Sequence, residues 1–502
     1  MATTGVLDGR GAVAPAALRP LLLVAAAVTA VLVATSGRYG YHRDELYFLV
    51  AGRHPDWGYP DQPPLTPLIA GLMDRIAGGS LVVLRLPSAL AAGVTALVTG
   101  LLAHELGGGR RAQLIAAACA AVSGVTLVTG HIVSTTTYDV LFCAVLVWLL
   151  ARAVRTGEEW LLFPAGLVLG LGLLNKDLIG VYAAALVAAV LVSGPRRLLR
   201  SGWTVLAAVV ALLLGLPYVV WQGLNGWPQL EMTRAIAADG DQGGRLGFLP
   251  FQLLLISPVL VPVWVAGLVR LLRSPEARPF RFLGVAYVVL AVIYLVTGGK
   301  AYYLAGAYPA LLAAGAIATD GWLARATGVL RRRLLTAAIA LSAVVAAVVG
   351  LAVLPERALG PVLAVNPDAG EQVAWPRFAA TVAGVWNGLS VADRTRGLVL
   401  TENYGEAGAI DRYGRALGLP RAYSGHNGFG FWAVPTGEAG PIVLVGYADR
   451  TRRESLFRGC VQRATIDNGV DLDTEEQGVP VWVCGQPAGP WFEVWPRVRH
   501  LG

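Results

Sequence analysis

Of the 40 basic residues in the chain only two are lysines: Lys176, in Asn175-Lys176-Asp177, and Lys300, in Gly299-Lys300-Ala301-Tyr302-Tyr303. A compact ammonium on a flexible stem suits a point contact to phosphate. Biased base composition explains the preference for arginine, but not why both exceptions lie at predicted ends of apolar spans on one side. Lys176 also admits a structural reading, pairing with the adjacent Asp177 or snorkelling to the interface. Lys300 has no near acidic neighbour in sequence. The acids fall in two places. Residues 36–80 concentrate Arg38, His42, Arg43, Asp44, Glu45, Arg53, His54, Asp56 and Asp61 between two apolar runs. Asp139 stands in Thr135-Thr136-Thr137-Tyr138-Asp139, at the start of another run. An ionisable group at that depth is costly and is a functional candidate by default. Asp44 and Asp139 are equally suited to cap the helices they open, and both readings stand.

The elements that must position these groups are membrane spans. Hydrophobic residues make up 55% of the 502, and charged ones only 14%, against about 25% in soluble chains. Apolar runs near 18–36, 81–103, 111–130, 138–155, 160–174, 178–193, 203–221, 250–272, 282–298, 302–319 and 334–354 approach the ~20 residues that cross a hydrocarbon core. The first is read as a retained helix and not a signal peptide, because further spans follow at once. Connections holding Arg110 and Arg111, Arg152 and Arg155, Arg196 to Arg200, Arg270 to Arg281, and Arg325 to Arg333 alternate with loops poorer in arginine. That bias puts the basic loops and the N-terminus in the cytoplasm of a cell-membrane protein, and residues 355–502 outside. The net charge of +8 therefore reports topology, and a nucleic-acid partner is excluded.

The expected fold is a polytopic α-helical membrane domain, residues 1–354, followed by an extracytoplasmic α/β domain, residues 355–502. In the external loop 36–80, Leu46, Leu49, Val50 and Arg53 fall at helical spacing and predict a short helix lying in the interface. Pro60-Asp61-Gln62-Pro63-Pro64 forces a turn before a second interfacial stretch. Beyond Leu354, Gly397–Asn403, Pro441–Tyr447 and Pro480–Cys484 read as strands. Asn403 and Glu406 form a capping-box pattern for a helix that stops at Gly418. Cys119 and Cys143 sit in apolar runs as small hydrophobes. Cys460 and Cys484 lie outside, where a disulfide or two buried thiols are equally open.

These pieces resemble the GT-C superfamily of membrane glycosyltransferases, and in particular the bacterial relatives of the dolichyl-phosphate-mannose–protein mannosyltransferases (families 39 and 83), a group that includes the lipid A aminoarabinose transferases. The likeness rests on RDELYF at 43–48, DQPPL at 61–65, TYD at 137–139, NKD at 175–177, GWPQLE at 226–231, KAYYLAGAYPAL at 300–311, ENYGEAGAIDRYG at 402–414 and SGHNGFGFW at 424–432. It implies a polyprenyl-phosphate sugar donor, an extracytoplasmic site, and inversion at the sugar carbon. By the same resemblance Asp44 is the catalytic base and Asp139 the second catalytic acid, while Asp61 holds the acidic position of a Glu-Lys-Pro-Pro-like motif. Gln62 stands where some relatives have lysine, which leaves the phosphate to other cations. Glu45, Asp61, Lys176, Lys300, Tyr302, Tyr303 and Arg43 are the expected substrate contacts, with a membrane lipid and a hydroxyl acceptor as partners. No cofactor is required. A divalent metal on Asp44, Glu45, Asp61 or Asp139 is compatible with oxygen ligands.

Two other classes compete. A lipid-sugar transporter would show repeated halves and broken helices near the midplane, whereas here the charges gather at one face and no repeat is visible. A glycan-binding assembly protein would place its working site on Asn403, Tyr404, His426 and Asn427.

Overall fold

The computed structural model describes residues 15–238, 244–325, 329–436 and 440–502. The membrane part runs α1 (Leu18–Thr35), α2 (Arg43–Ala51), α3 (Leu65–Ile76), α4 (Leu81–Glu105), α5 (Arg110–Ala121), α6 (Gly124–His131), α7 (Thr135–Thr156), α8 (Leu162–Leu173), α9 (Leu178–Ser193), α10 (Gly202–Leu224), α11 (Pro228–Ala238), α12 (Gly244–Ile256), α13 (Val261–Arg273), α14 (Arg281–Thr297), α15 (Tyr308–Ala324) and α16 (Val329–Gly350). Among the described residues, seven helices are long and apolar enough to cross a membrane, and two bent pairs raise that to nine. Two shorter apolar helices, Glu159–Leu173 and Leu178–Ser193, fill the remaining expected positions. The segments Thr135–Thr156 and Ala301–Ala324 are the most enclosed, at 67% and 78% buried, so they form the centre of the bundle. On α10, by contrast, Leu212, Leu213 and Leu216 stand exposed, which in a span means contact with lipid tails.

Two expected spans are broken. The run 111–130 bends by 51° between α5 and α6, and 250–272 bends by 85° between α12 and α13. At the first break the Ser123 hydroxyl accepts from the Thr126 N–H and starts a new helix. At the second, Ser257-Pro258 interrupts the ladder, since proline has no N–H to donate and biases its predecessor away from helix.

The loop 36–80 also departs from expectation. The helix α2 forms, but it does not lie in the interface with one wet face. Residues Glu45 to Ala51 are all buried, because the outer domain covers the side away from the bundle. Gly408 is the point of closest approach: a Cβ there would stand 2.8 Å from the Leu46 Cβ. A second close approach joins α2 to α3, where a Cβ on Gly52 would lie 2.6 Å from the Pro67 carbonyl oxygen. The α3 helix is the interfacial one, with Leu68, Leu72 and Ile76 exposed along a single stripe.

The outer domain is built on strands β1 (Leu398–Thr401), β2 (Ala422–Ser424), β3 (Ile442–Val445), β4 (Phe457–Arg458), β5 (Val461–Thr465), β6 (Pro480–Cys484) and β7 (Gln486–Pro487). Five form a mixed sheet in the order β2-β1-β3-β6-β5, and β4 pairs with β7. Strand β1 is parallel to β2 and β3, while β6 is antiparallel to β3 and β5. Cys460 and Cys484 are disulfide-bonded. Asn403 and Glu406 make the capping box of a helix over Tyr404–Ala409. The chain continues as a wider π turn and a 3-10 turn to Gly418, whose φ of 82° ends it.

One apolar core links the two parts. Leu46, Phe48 and Val50 of α2 pack in a single cluster with Trp375, Phe378, Val399, Val443 and Val481 of the outer domain. The C-terminal α/β domain is therefore fastened onto the 36–80 loop and closes over it.

Candidate active site

Asp44 owes its position to its neighbours. The N-cap of α2 is His42, not Asp44: its Nδ1 accepts from the Asp44 N–H at 3.2 Å, while Glu45 Oε2 accepts from the His42 N–H at 2.8 Å. Glu45, expected at the substrate, is instead a structural anion. Both it and Arg85 are fully enclosed, with Arg85 Nε and Nη2 each donating at 2.8 Å to its two oxygens and the Val133 N–H donating at 2.9 Å. Burial alone would raise the Glu45 carboxyl, but the Arg85 charge and these hydrogen bonds hold it below its ordinary value. Arg43, also expected at the substrate, is engaged by acids of the C-terminal domain. It pairs with Glu475, lies 3.6 Å from Glu371 and stacks over the Tyr404 ring at 5.5 Å.

With these two spent, Asp44 is left accessible, its side chain 38% exposed and 4.0 Å from His42. Its Oδ1 accepts a 2.7 Å hydrogen bond from the Tyr404 hydroxyl, 360 residues away. Burial and the Asp44 charge keep the Tyr404 phenol well above its ordinary value, so it stays a donor. Asp61 is held in the same manner by Tyr47, whose hydroxyl donates at 2.6 Å and itself accepts from the Gly428 N–H at 3.1 Å. The two tyrosine rings lie 5.0 Å apart. Burial pushes the Asp61 carboxyl up to about 7 against the Tyr47 hydrogen bond, and the charge of Asp44 adds to the rise.

The bundle supplies the opposite wall. Asp139, one turn into α7, is 3% exposed, and its Oδ1 has no hydrogen-bond partner among the described residues. Asn175 fixes the turn between α8 and α9, accepting from Thr66 Oγ1 at 2.7 Å and donating to the Thr135 carbonyl at 2.8 Å. Lys176 then neither pairs with Asp177 nor snorkels: its ammonium donates to Thr136 Oγ1 at 2.9 Å and lies 5.1 and 5.7 Å from the Tyr302 and Tyr303 ring centroids. It is within electrostatic range of Asp139, Asp44, Lys300 and Asp177. Lys300 begins the turn Ala301–Ala307 that carries both tyrosines. Beside this wall a cavity of about 230 Å³, lined by Leu173, Asp177, Tyr218, Gln222, Gln229 and Leu230, opens between α8, α10 and α11.

The structure thus brings together Asp44, Asp61, Asp139, Lys176, Lys300, Tyr302 and Tyr303, ties Glu45 to Arg85, and sets Arg43 at the edge of the site, over the Tyr404 ring. Sequence reasoning did not find Tyr47, Arg85, Asn175, Thr136 or the role of Tyr404. Tyr47 and Asn175 stand inside the motifs RDELYF and NKD, and Tyr404 follows a recognisable cap, but the sequence disclosed none of their contacts. The arrangement offers an accessible carboxylate within electrostatic range of an ammonium, the combination needed to take a proton from one reactant and meet the charge on another. Asp44 and Asp61 each receive a tyrosine hydroxyl, and no third acid or histidine joins them in a metal-sized group among the described residues.

Residues 61–221 match the family described as dolichyl-phosphate-mannose-protein mannosyltransferase. No curated protein matches the chain. Among solved structures, ArnT from Cupriavidus metallidurans in the apo state is similar at 16% identity and a TM-score of 0.58, over 92% of this chain and 97% of that one. The oligosaccharyltransferase of Archaeoglobus fulgidus is similar at 14% identity and a TM-score of 0.51, over 80% of this chain and 63% of that one. The arabinofuranosyltransferase AftD from Mycobacteria is similar at 15% identity and a TM-score of 0.52, over 93% of this chain and 42% of that one. Identities this low speak for architecture. The chain is a multi-pass membrane protein with the GT-C glycosyltransferase fold, similar to ArnT and the protein mannosyltransferases.

Proposed function

We propose that this protein is an inverting glycosyltransferase that moves a sugar from a polyprenyl-phosphate donor to a hydroxyl acceptor at the extracytoplasmic rim of the membrane. The observation that carries the reading is an accessible Asp44 side chain within electrostatic range of the Lys176 ammonium, where the bundle meets the C-terminal domain. Asp44 takes the proton of the acceptor hydroxyl as that oxygen bonds to the anomeric carbon. The bond from that carbon to the phosphate oxygen breaks on the opposite face, and polyprenyl phosphate departs with the electron pair. A phosphate whose second pKa is about 6 leaves without a proton donor, so one carboxylate suffices, unlike the acid–base pair of glycoside hydrolysis. Lys176 and Lys300, with the Tyr302 and Tyr303 hydroxyls, meet the charge on the leaving phosphate. As written, the step calls for no metal at Asp44.

Several features support the membrane setting. The arginine-bearing ends pair with one another at the far end of the bundle, Arg155 with Glu105 at 2.5 Å and Arg111 with Asp320, which suits a cytoplasmic face there. The cavity beside Asp177 has an apolar mouth at Val219 and Leu230, both exposed, where a lipid-borne substrate would approach. The solved ArnT structure bound to undecaprenyl phosphate matches this chain with a TM-score of 0.56.

The test is reconstitution of the purified chain in vesicles with polyprenyl-phosphate sugars and an envelope extract as acceptor source. Release of polyprenyl phosphate together with a glycosylated product is expected. Sugar movement across the vesicle wall without cleavage would replace the proposal with transport.

A further inference from the structure

Three carboxylates from two distant segments meet beside Arg43, at the seam between the first external loop and the outer domain. Glu371 lies in the 3-10 turn Pro367–Gln372, and Glu475 and Glu476 lie in the connection between β5 and β6. One oxygen from each falls within 4.8 Å of the others. Glu371 and Glu476 are enclosed, at 6% and 8% exposure. Glu371 Oε2 and Glu476 Oε1 have no hydrogen-bond partner among the described residues. The cation beside them is Arg43, which pairs with Glu475 and stands 3.6 Å from Glu371. Three carboxyl groups thus face one guanidinium, and burial with their mutual repulsion pushes Glu371 up to about 9 and Glu476 up to about 7. Two of the acids are withdrawn from water with an oxygen unsatisfied, an arrangement that costs several kcal/mol per uncompensated ion.

We propose that Glu371, Glu475 and Glu476 bind one divalent hard cation of the calcium class. Two added positive charges bring the cluster with Arg43 to neutrality and occupy the orphaned oxygens. All three donors are carboxylate oxygens, the ligand type of hard cations. The three oxygens lie within 4.8 Å of one another, a separation that one ion with metal–oxygen bonds of ~2.4 Å can bridge. The ion ties the β5–β6 connection to the 367–372 turn, beside Arg43 at the start of α2. It acts on the fold and takes no part in group transfer, so the site stands or falls independently of the glycosyltransferase reading.

Terbium luminescence reads the site without any turnover. Trp375 donates its indole N–H to the Glu371 carbonyl at 2.9 Å, which places an energy donor beside the cluster. The full-length chain in detergent, stripped with chelator, is titrated with terbium under tryptophan excitation. Saturable emission at one ion per chain, displaced by calcium, is expected. Glu371→Gln with Glu476→Gln should weaken terbium binding at least about tenfold, and Asp44→Asn should leave it unchanged. Should the double variant fail to fold, Glu475→Gln, on an exposed acid, gives the same readout with a smaller loss. Absence of saturable emission, full binding by the glutamine variants, or loss of binding in Asp44→Asn would each overturn the proposal.

Discussion

The site has two walls that are built differently. The bundle wall holds Asp139, Lys176, Tyr302 and Tyr303 on segments fixed by apolar spans, and its ions lie among hydrophobic neighbours. The outer wall supplies, from a polar domain, Tyr404, which donates to Asp44, and the Gly428 N–H, which donates to the Tyr47 hydroxyl that in turn holds Asp61. Charge for the chemistry thus comes from the membrane side and orientation from the outer side. The difference shows where each kind of substitution should act: removing a bundle charge strikes the reaction, and removing an outer contact loosens geometry.

The largest expected effect belongs to the residue both walls share. Asp44→Asn should lower kcat by about 10³-fold with an unchanged melting profile; near-normal turnover would remove Asp44 as the base. Next, Arg85→Met should leave Glu45 buried without its partner and destabilise the chain by about 3–5 kcal/mol. Denaturant unfolding of the detergent-solubilised protein measures it. A stable variant with altered donor binding would return Glu45 to the substrate.

Lys176→Met tests the bundle wall. It should reduce kcat/KM for the donor about 100-fold, since one preorganised donor to a leaving oxyanion is worth that much. An effect confined to the acceptor would place the phosphate elsewhere. Tyr404→Phe tests the outer wall, and should cost about tenfold in kcat with little change in either KM, the size of one hydrogen bond to a charged group. A loss as large as that of Lys176→Met would erase the distinction between the walls.

The smallest effect concerns pH. The Asp61 carboxyl is raised to about 7 in the folded chain, against about 3.9 unfolded. The folded state therefore holds this proton more tightly, and the contribution to stability falls as pH rises from about 4 to about 7. Asp61→Asn should flatten that slope, changing the melting temperature difference between pH 5 and pH 7.5 by about 2 °C. An identical slope in the variant would show that Asp61 does not titrate there.

The same contrast explains what the residues disclosed in advance. Asp139 and Lys176 were legible because an ion inside an apolar run is costly and has to be accounted for. Tyr404, Glu371 and Glu476 were not, since a polar side chain in a polar domain announces nothing about the loop it meets hundreds of residues away. Hydropathy located every apolar segment but averaged over Ser123 and Pro258, where single residues break the helix. Asp44 and Glu45 looked interchangeable as neighbouring acids. Their fates diverge because the third helical position of a capping box points back into the fold, and histidine is not a usual cap. The strand Pro480–Cys484 and the cap at Asn403 were readable from local pattern alone. The burial of α2 was not, because it depends on what the outer domain covers.

The placement of the two lysines has a practical corollary. Every side-chain amine in the protein stands at one locality, so lysine acylation by a mild reagent becomes a footprint of that locality, read apart from the α-amine. Mass shifts on two peptides, compared with and without a lipid phosphate present, would chart occupancy of the pocket before any sugar has been identified.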